Sequence, residues 1–265
     1  LDANGNVEVN LPLIASQAGN VAIQSENDAG TFTGVRTLRA PETSIDYRLR
    51  VGIDTVLFTN SFNATAQNTA LWSYTFNTLT AAQPGAGTVN FSVVQGTTNA
   101  HGAFMRSFQY FPLIGTAPLL VEFTFGQFTA ALVANEVWLM GLGLPTAATT
   151  EPTDGVWFRF TTAGLIGELR FNGVTTQTGV LRTLAQLNVG ELYKATIVIG
   201  EQSVEYWLDD GLLATQAMPA ANGQPFLTTT LPAYMMKYNT GAVANTNTMR
   251  VSNLTISLLD LHTSK

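Results

Sequence analysis

The chain contains no cysteine, which removes a disulfide framework, a thiolate nucleophile and any cysteine-based zinc site. Histidine is nearly as scarce. His101 lies in a turn-like Asn-Ala-His-Gly stretch and His262 near the C-terminus, and neither stands beside a nucleophile motif. A Ser/His/Asp relay needs a positioned base, and two histidines do not complete a catalytic zinc site without carboxylates. Charge is also sparse. Asp, Glu, Lys and Arg make up 11% of the 265 residues, where about a quarter is usual. The surface must then be furnished by Thr, Asn, Gln, Ser and Ala, a composition that favours permanent contact with other subunits and leads us to expect a homo-oligomer. The 12 basic residues are outnumbered by 18 carboxylates, which argues against nucleic acid as a partner because a phosphate backbone selects a basic surface. No apolar run reaches the length of a membrane-spanning helix, so no membrane partner is expected.

What the chain has in abundance is alternation. In Val204-Glu-Tyr-Trp-Leu208, Val204, Tyr206 and Leu208 alternate with Glu205 and Trp207, the period of two of a strand with one buried face. Asp210-Gly211 then supplies the positive φ of a tight hairpin before Leu212-Leu213 starts the next strand. Val156–Phe160, Leu192–Ile199 and Met249–Leu258 follow the same pattern, as do shorter runs from Tyr47 to Leu144, with Gly, Pro, Asn and Thr clusters between them. Only Phe128 to Val137 has helical spacing, and it serves equally well as a loop. The expectation is an all-β protein with almost no helix, a single sandwich of about a dozen strands.

Residues 1–46 differ from the rest. Leu1 to Gly34 is rich in Asn, Gly, Ala and Gln, with apolar runs too brief to build a core. This reads as an N-terminal arm that gains its order from a partner, leaving 47–265 as the sandwich domain. Four of the twelve basic residues, Arg36, Arg39, Arg48 and Arg50, flank Ala40-Pro41-Glu42. They are either solvated arginines on a strand entering the first sheet, or an arm-docking interface that pairs with carboxylates of a neighbouring subunit.

The C-terminal half, with Gly155-Val-Trp-Phe-Arg-Phe160, Tyr193-Lys-Ala-Thr-Ile-Val-Ile199, Val204-Glu-Tyr-Trp-Leu-Asp-Asp-Gly211 and Val251-Ser-Asn-Leu-Thr-Ile256, resembles the concanavalin A-like (laminin G, pentraxin, legume-lectin) jelly-roll sandwich. More narrowly, Asp46 to Phe58, Asn63 to Trp72 and Asn222-Gly-Gln-Pro-Phe226 resemble virion structural proteins of tailed bacteriophages, a likeness covering about residues 35 to 261. That resemblance implies a non-enzymatic capsid decoration or cement protein on the particle exterior, with major capsid or tail proteins as partners. A tail or baseplate component and a carbohydrate-binding host-adhesion module are the alternatives.

Glycoside hydrolases of this sandwich carry Glu-x-Asp-x-x-Glu on one strand, so that two carboxylates flank one bond. No such run occurs here. Glu205 and Asp209 share a face but lie about 13 Å apart by strand rise, too far for either glycosidase geometry. The expectation is therefore that the protein is not an enzyme and needs no cofactor. Asp209-Asp210-Gly211 and Glu151 to Asp154 place hard oxygen ligands in loops, yet turn chemistry explains the first sufficiently, and no metal is assigned. For sugar binding the feature to seek is an aromatic on the polar face of a strand. Trp157 with Arg159, and Trp207 with Glu205 and Asp209, meet that description, as ligand faces if solvated or as subunit contacts if covered. Trp138 carries the same ambiguity, and Trp72 belongs to the core.

Overall fold

A computed structural model describes residues 21–26, 32–38, 55–77, 80–82, 87–92, 101–113, 118–127, 130–218, 229–243 and 247–259. The chain divides into two compact units, residues 1–54 with 260–265, and residues 55–259. In the first, β1 (Val21–Glu26) and β2 (Phe32–Leu38) form an antiparallel hairpin in which Arg36 stands opposite Ile23. Arg39, Arg48 and Arg50 lie outside the described residues.

The second unit holds β3 (Thr55–Asn60), β4 (Trp72–Asn77), β5 (Thr80–Ala82), β6 (Val89–Ser92), β7 (Gly102–Pro112), β8 (Leu119–Gln127), β9 (Glu136–Gly143), β10 (Gly155–Thr161), β11 (Gly164–Phe171), β12 (Val174–Arg182), β13 (Tyr193–Ile199), β14 (Ser203–Leu208), β15 (Gly211–Ala217), β16 (Thr230–Asn239) and β17 (Thr248–Leu258). They form two antiparallel sheets. One has seven strands in the order β12-β11-β10-β9-β16-β7-β4; the other has eight, β15-β14-β13-β8-β17-β6-β5 with β3 also paired to β17. Among the described residues the only helical element is a 3-10 turn at Leu184–Gln186. The architecture is the jelly-roll sandwich expected from the sequence, with more strands among the described residues than the dozen anticipated.

The alternation that marked the strands is the partition between core and exterior. Leu119, Val121, Phe123 and Phe125 of β8, Ala195, Ile197 and Ile199 of β13, and Val204, Tyr206 and Leu208 of β14 point inward from the eight-stranded sheet. They meet Trp138, Met140 and Leu142 of β9 and Val156, Phe158 and Phe160 of β10. Each buried Val, Leu, Ile, Phe or Met side chain among them contributes about 1.5–3 kcal/mol by leaving water. Aromatic edges interlock across the gap, Phe158 with Tyr206 at 5.3 Å and Phe125 with Trp138 at 5.5 Å. Trp72 is core, edge-on to Phe58 at 5.6 Å, and Trp138 resolves as core too.

The β14–β15 hairpin departs from expectation by one residue. Leu208 pairs with Gly211, so the two central residues are Asp209 (φ 47°) and Asp210 (φ 65°), the double left-handed turn of a tight hairpin. Asp209 is fixed there because its Oδ1 accepts the Lys194 backbone N–H at 2.9 Å. Glycine's freedom is not what closes the turn. The stretch at 130–135 is loop rather than helix.

Strand β9 does not alternate at all: every residue from Glu136 to Gly143 is buried. Its inner side chains meet the core, while its outer ones, Val137 and Leu139, join Phe104, Trp157, Tyr234, Met236, Tyr238 and Ala148 in a second cluster on the other face of the sheet. The loop at 144–154, between β9 and β10, covers that face. The covering is close enough that a Cβ at Gly102 would collide with the Ala148 carbonyl.

Candidate functional site

Beneath the 144–154 loop, the outer face of the seven-stranded sheet carries four charges that cancel. Register places Trp157 beside Glu168, Gly155 beside Arg170, and Glu168 beside Gln177, so one row of the sheet bears an indole, a carboxylate and an amide. Arg159 stands one step along β10. The loop inserts Glu151 among them. Arg159 Nη1 lies 2.6 Å from Glu151 Oε1 and 3.5 Å from Glu168 Oε2, and Arg170 Nη2 lies 2.5 Å from Glu151 Oε2 and 2.8 Å from Glu168 Oε1. Gln177 Nε2 donates to Glu168 at 2.6 Å, Arg170 Nη1 to the Pro152 carbonyl at 3.1 Å, and the Tyr238 hydroxyl to Glu151. The Arg170 guanidinium also stacks 5.3 Å from the Trp157 ring centre, a cation–π contact.

Both carboxylates rest on one guanidinium nitrogen, Arg170 Nη2, which draws them close together. Their electrostatics are those of a clamp. Burial alone would raise the Glu151 pKa, but the Tyr238 hydrogen bond and the charges of Arg159 and Arg170 outweigh it and hold the carboxyl below its ordinary value. A depressed folded pKa stabilises the protein above the unfolded value, near 4.5, and that stability is lost as pH falls through the folded value. The urea midpoint is therefore expected to hold from neutrality down to about pH 5 and to fall below about pH 4. For Glu151→Gln that acid-limb decline is expected to be shallower.

The structure separates the residues singled out from the sequence. Trp157 and Arg159 share the covered face of the seven-stranded sheet. Glu205 and Trp207 lie on the outer face of the eight-stranded sheet, on the opposite side of the sandwich, where Trp207 Nε1 donates to Glu205 at 3.0 Å. Asp209 is turned into its hairpin. Trp157 is fully buried and Trp207 partly exposed.

Two aromatic rings escaped the sequence reading. Outward positions of β7 are Phe104, Arg106, Phe108 and Tyr110, and only the first is covered. Phe108 is 57% exposed and Tyr110 45%. Both lie at the bulge where three residues, Ser107 to Gln109, face the single Ala233 of β16. Ser107 turns its hydroxyl inward to accept the Ala233 N–H at 3.0 Å. The available signal was Arg106, Phe108 and Tyr110 at alternate positions, obscured because Phe104, Met105 and Phe111 make the run look apolar throughout.

No family model matches the chain, and no curated protein matches it. Solved structures do share its fold. An endo-acting O-glycanase expressed by human gut microbiota to initiate mucin breakdown aligns over 78% of this chain and 100% of its own at 13% identity, TM-score 0.59. The carbohydrate recognition domain of Emp47p aligns over 78% and 99% at 11% identity, TM-score 0.55. A Bacillus licheniformis β-glucanase aligns over 78% and 99% at 15% identity, TM-score 0.53. The likeness establishes the fold, a concanavalin A-like sandwich. It also overturns the expectation that the protein is not an enzyme, since glycan-cleaving enzymes are built on this frame. That expectation rested on the lack of two carboxylates on one strand. None of these structures is a virion protein.

Proposed function

We propose that the protein recognises carbohydrate on the outer face of its seven-stranded sheet, with Phe108 and Tyr110 as the stacking platform and Arg106 as the polar anchor. The observation that carries this reading is the exposure of those two rings, Phe108 at 57% and Tyr110 at 45%, on the outer face of the sheet. A sugar offers an apolar C–H face to an aromatic plane and a rim of hydroxyls to a guanidinium, and such sites combine a few apolar surfaces with a few polar groups. Ser73 of β4, opposite Arg106, adds a hydroxyl beside it. The shared sandwich of a carbohydrate recognition domain and two glycanases supports the reading.

A glycan array with the full chain tests it. The Phe108→Ala and Tyr110→Ala changes are each expected to weaken binding at least about tenfold, or about 1.4 kcal/mol, and Trp207→Ala to leave it intact. Binding that survives the double change at Phe108 and Tyr110 would sink the platform.

The close approach of Glu151 and Glu168 favours a second reading, hydrolysis of the bound glycan. For Glu151 to act as an acid, the 144–154 loop must lift it off both arginines, which frees the pair to divide into acid and nucleophile. Reducing-end release in the same panel, abolished by Glu168→Gln, is the corresponding readout. On a virion, the setting inferred from the sequence, the same platform would serve host adhesion.

A further inference from the structure

A second charged group lies inside the sandwich rather than on its face. Lys237 of β16 is 0% exposed, pointing inward in register with Trp138 and Ala103. Its Nζ reaches the side-chain Oδ1 of Asn247, the Asn247 carbonyl at 3.4 Å and Glu136 Oε1 at 3.6 Å. Asn247, also 0% exposed, immediately precedes β17 and directs its Nδ2 onto Glu136 Oε2 and the Ala131 carbonyl, the latter at 3.3 Å. Glu136, 2% exposed, accepts the Val133 N–H at 2.9 Å. An amine, a carboxamide and a carboxyl are thus buried together. The carboxyl touches both the amine and the nitrogen that would leave the amide.

We propose that Lys237 and Asn247 are joined by an intramolecular isopeptide bond formed with the help of Glu136. Lys237 passes one proton to the Glu136 carboxylate, replacing a buried ion pair by a neutral amine and a neutral acid, a direction that burial favours. The Nζ lone pair adds to Asn247 Cγ, a Cγ–Nζ bond forms, and the carbonyl electrons shift to Oδ1. Glu136 protonates Nδ2, the Cγ–Nδ2 bond breaks, ammonia departs with that electron pair, and the carbonyl reforms. Glu136 then takes the remaining extra proton from Nζ. Nothing is oxidised or reduced, and no further reactant enters. Burial also lowers the Lys237 pKa to about 8, despite the opposing pull of Glu136, so that a neutral amine is accessible near neutral pH. The bond would tie β16 of one sheet to the start of β17 in the other across the core.

Mass spectrometry of the full folded chain tests this. The expected intact mass lies about 17 Da, one ammonia, below that of the sequence. Trypsin is expected to leave the bond after Lys237 uncut, and fragmentation to place the loss between Lys237 and Asn247. Lys237→Arg, Asn247→Ala and Glu136→Gln are each expected to restore the sequence mass. A wild-type chain at its sequence mass, tryptic cleavage after Lys237, or an ammonia loss located at another residue would overturn the proposal, whether or not the variants fold.

Discussion

Replacing Arg170 with alanine is expected to destabilise the protein by about 3–5 kcal/mol, the cost of removing one member of a buried charge cluster. Arg170 holds two carboxylates through one nitrogen and the Pro152 carbonyl through another, while its plane covers Trp157. Without it Arg159 alone faces Glu151 and Glu168, and Glu168 is wholly enclosed, so a carboxylate is left without its closest countercharge. Arg170→Lys is not expected to rescue the loss, because an ammonium lacks the planar fork that serves three acceptors and stacks on the indole. Urea unfolding followed by far-ultraviolet circular dichroism gives the difference. A cost below about 1 kcal/mol, the range of an exposed ion pair, would show that the loop is not held down by this cluster.

The fold was largely legible because it is written in nearest-neighbour alternation. Val204, Tyr206 and Leu208 point inward as their spacing requires, and Trp72 is in the core. What escaped prediction depends on elements distant in sequence. Trp157 and Arg159 do share an outward face, as alternation indicates, but the 144–154 loop that buries Trp157 announces itself only in β9, whose Val137 to Leu142 run is apolar on both faces. Phe108 and Tyr110 were hidden for the reverse reason, since an exposed aromatic in an apolar strand looks like a core residue until the bulge at Ser107 to Gln109 is known. The four-charge cluster draws Glu151 from a loop, Arg159 from β10, and Glu168 and Arg170 from β11, a convergence no one-strand motif encodes. Lys237 was the most legible of the missed residues, a lone cation in the buried run Tyr234-Met235-Met236-Lys237-Tyr238.

Truncating Trp157 to alanine is expected to cost about 3–5 kcal/mol, as deletion of a buried large aromatic does. Its Cα and Cβ press on Gly141, where no further Cβ would fit, and its ring meets Tyr234 edge-on at 5.8 Å and carries the Arg170 guanidinium 5.3 Å from its centre. Alanine would leave a void beneath the loop and remove the aromatic surface on which Arg170 is positioned, so the packing and electrostatic losses are coupled rather than additive. Trp157→Phe discriminates between them. The indole Nε1 has no hydrogen-bond partner among the described residues, so phenylalanine sacrifices no hydrogen bond and is expected to cost about 1–2 kcal/mol, from lost volume and a weaker cation–π contact. Equal losses for the two variants in urea unfolding would mean that the indole nitrogen contributes what the geometry denies it. The expected inequality means that Trp157 acts as the floor of the loop, so that any loss of glycan binding in Trp157→Ala would follow from the collapse of that floor and not from a missing sugar contact.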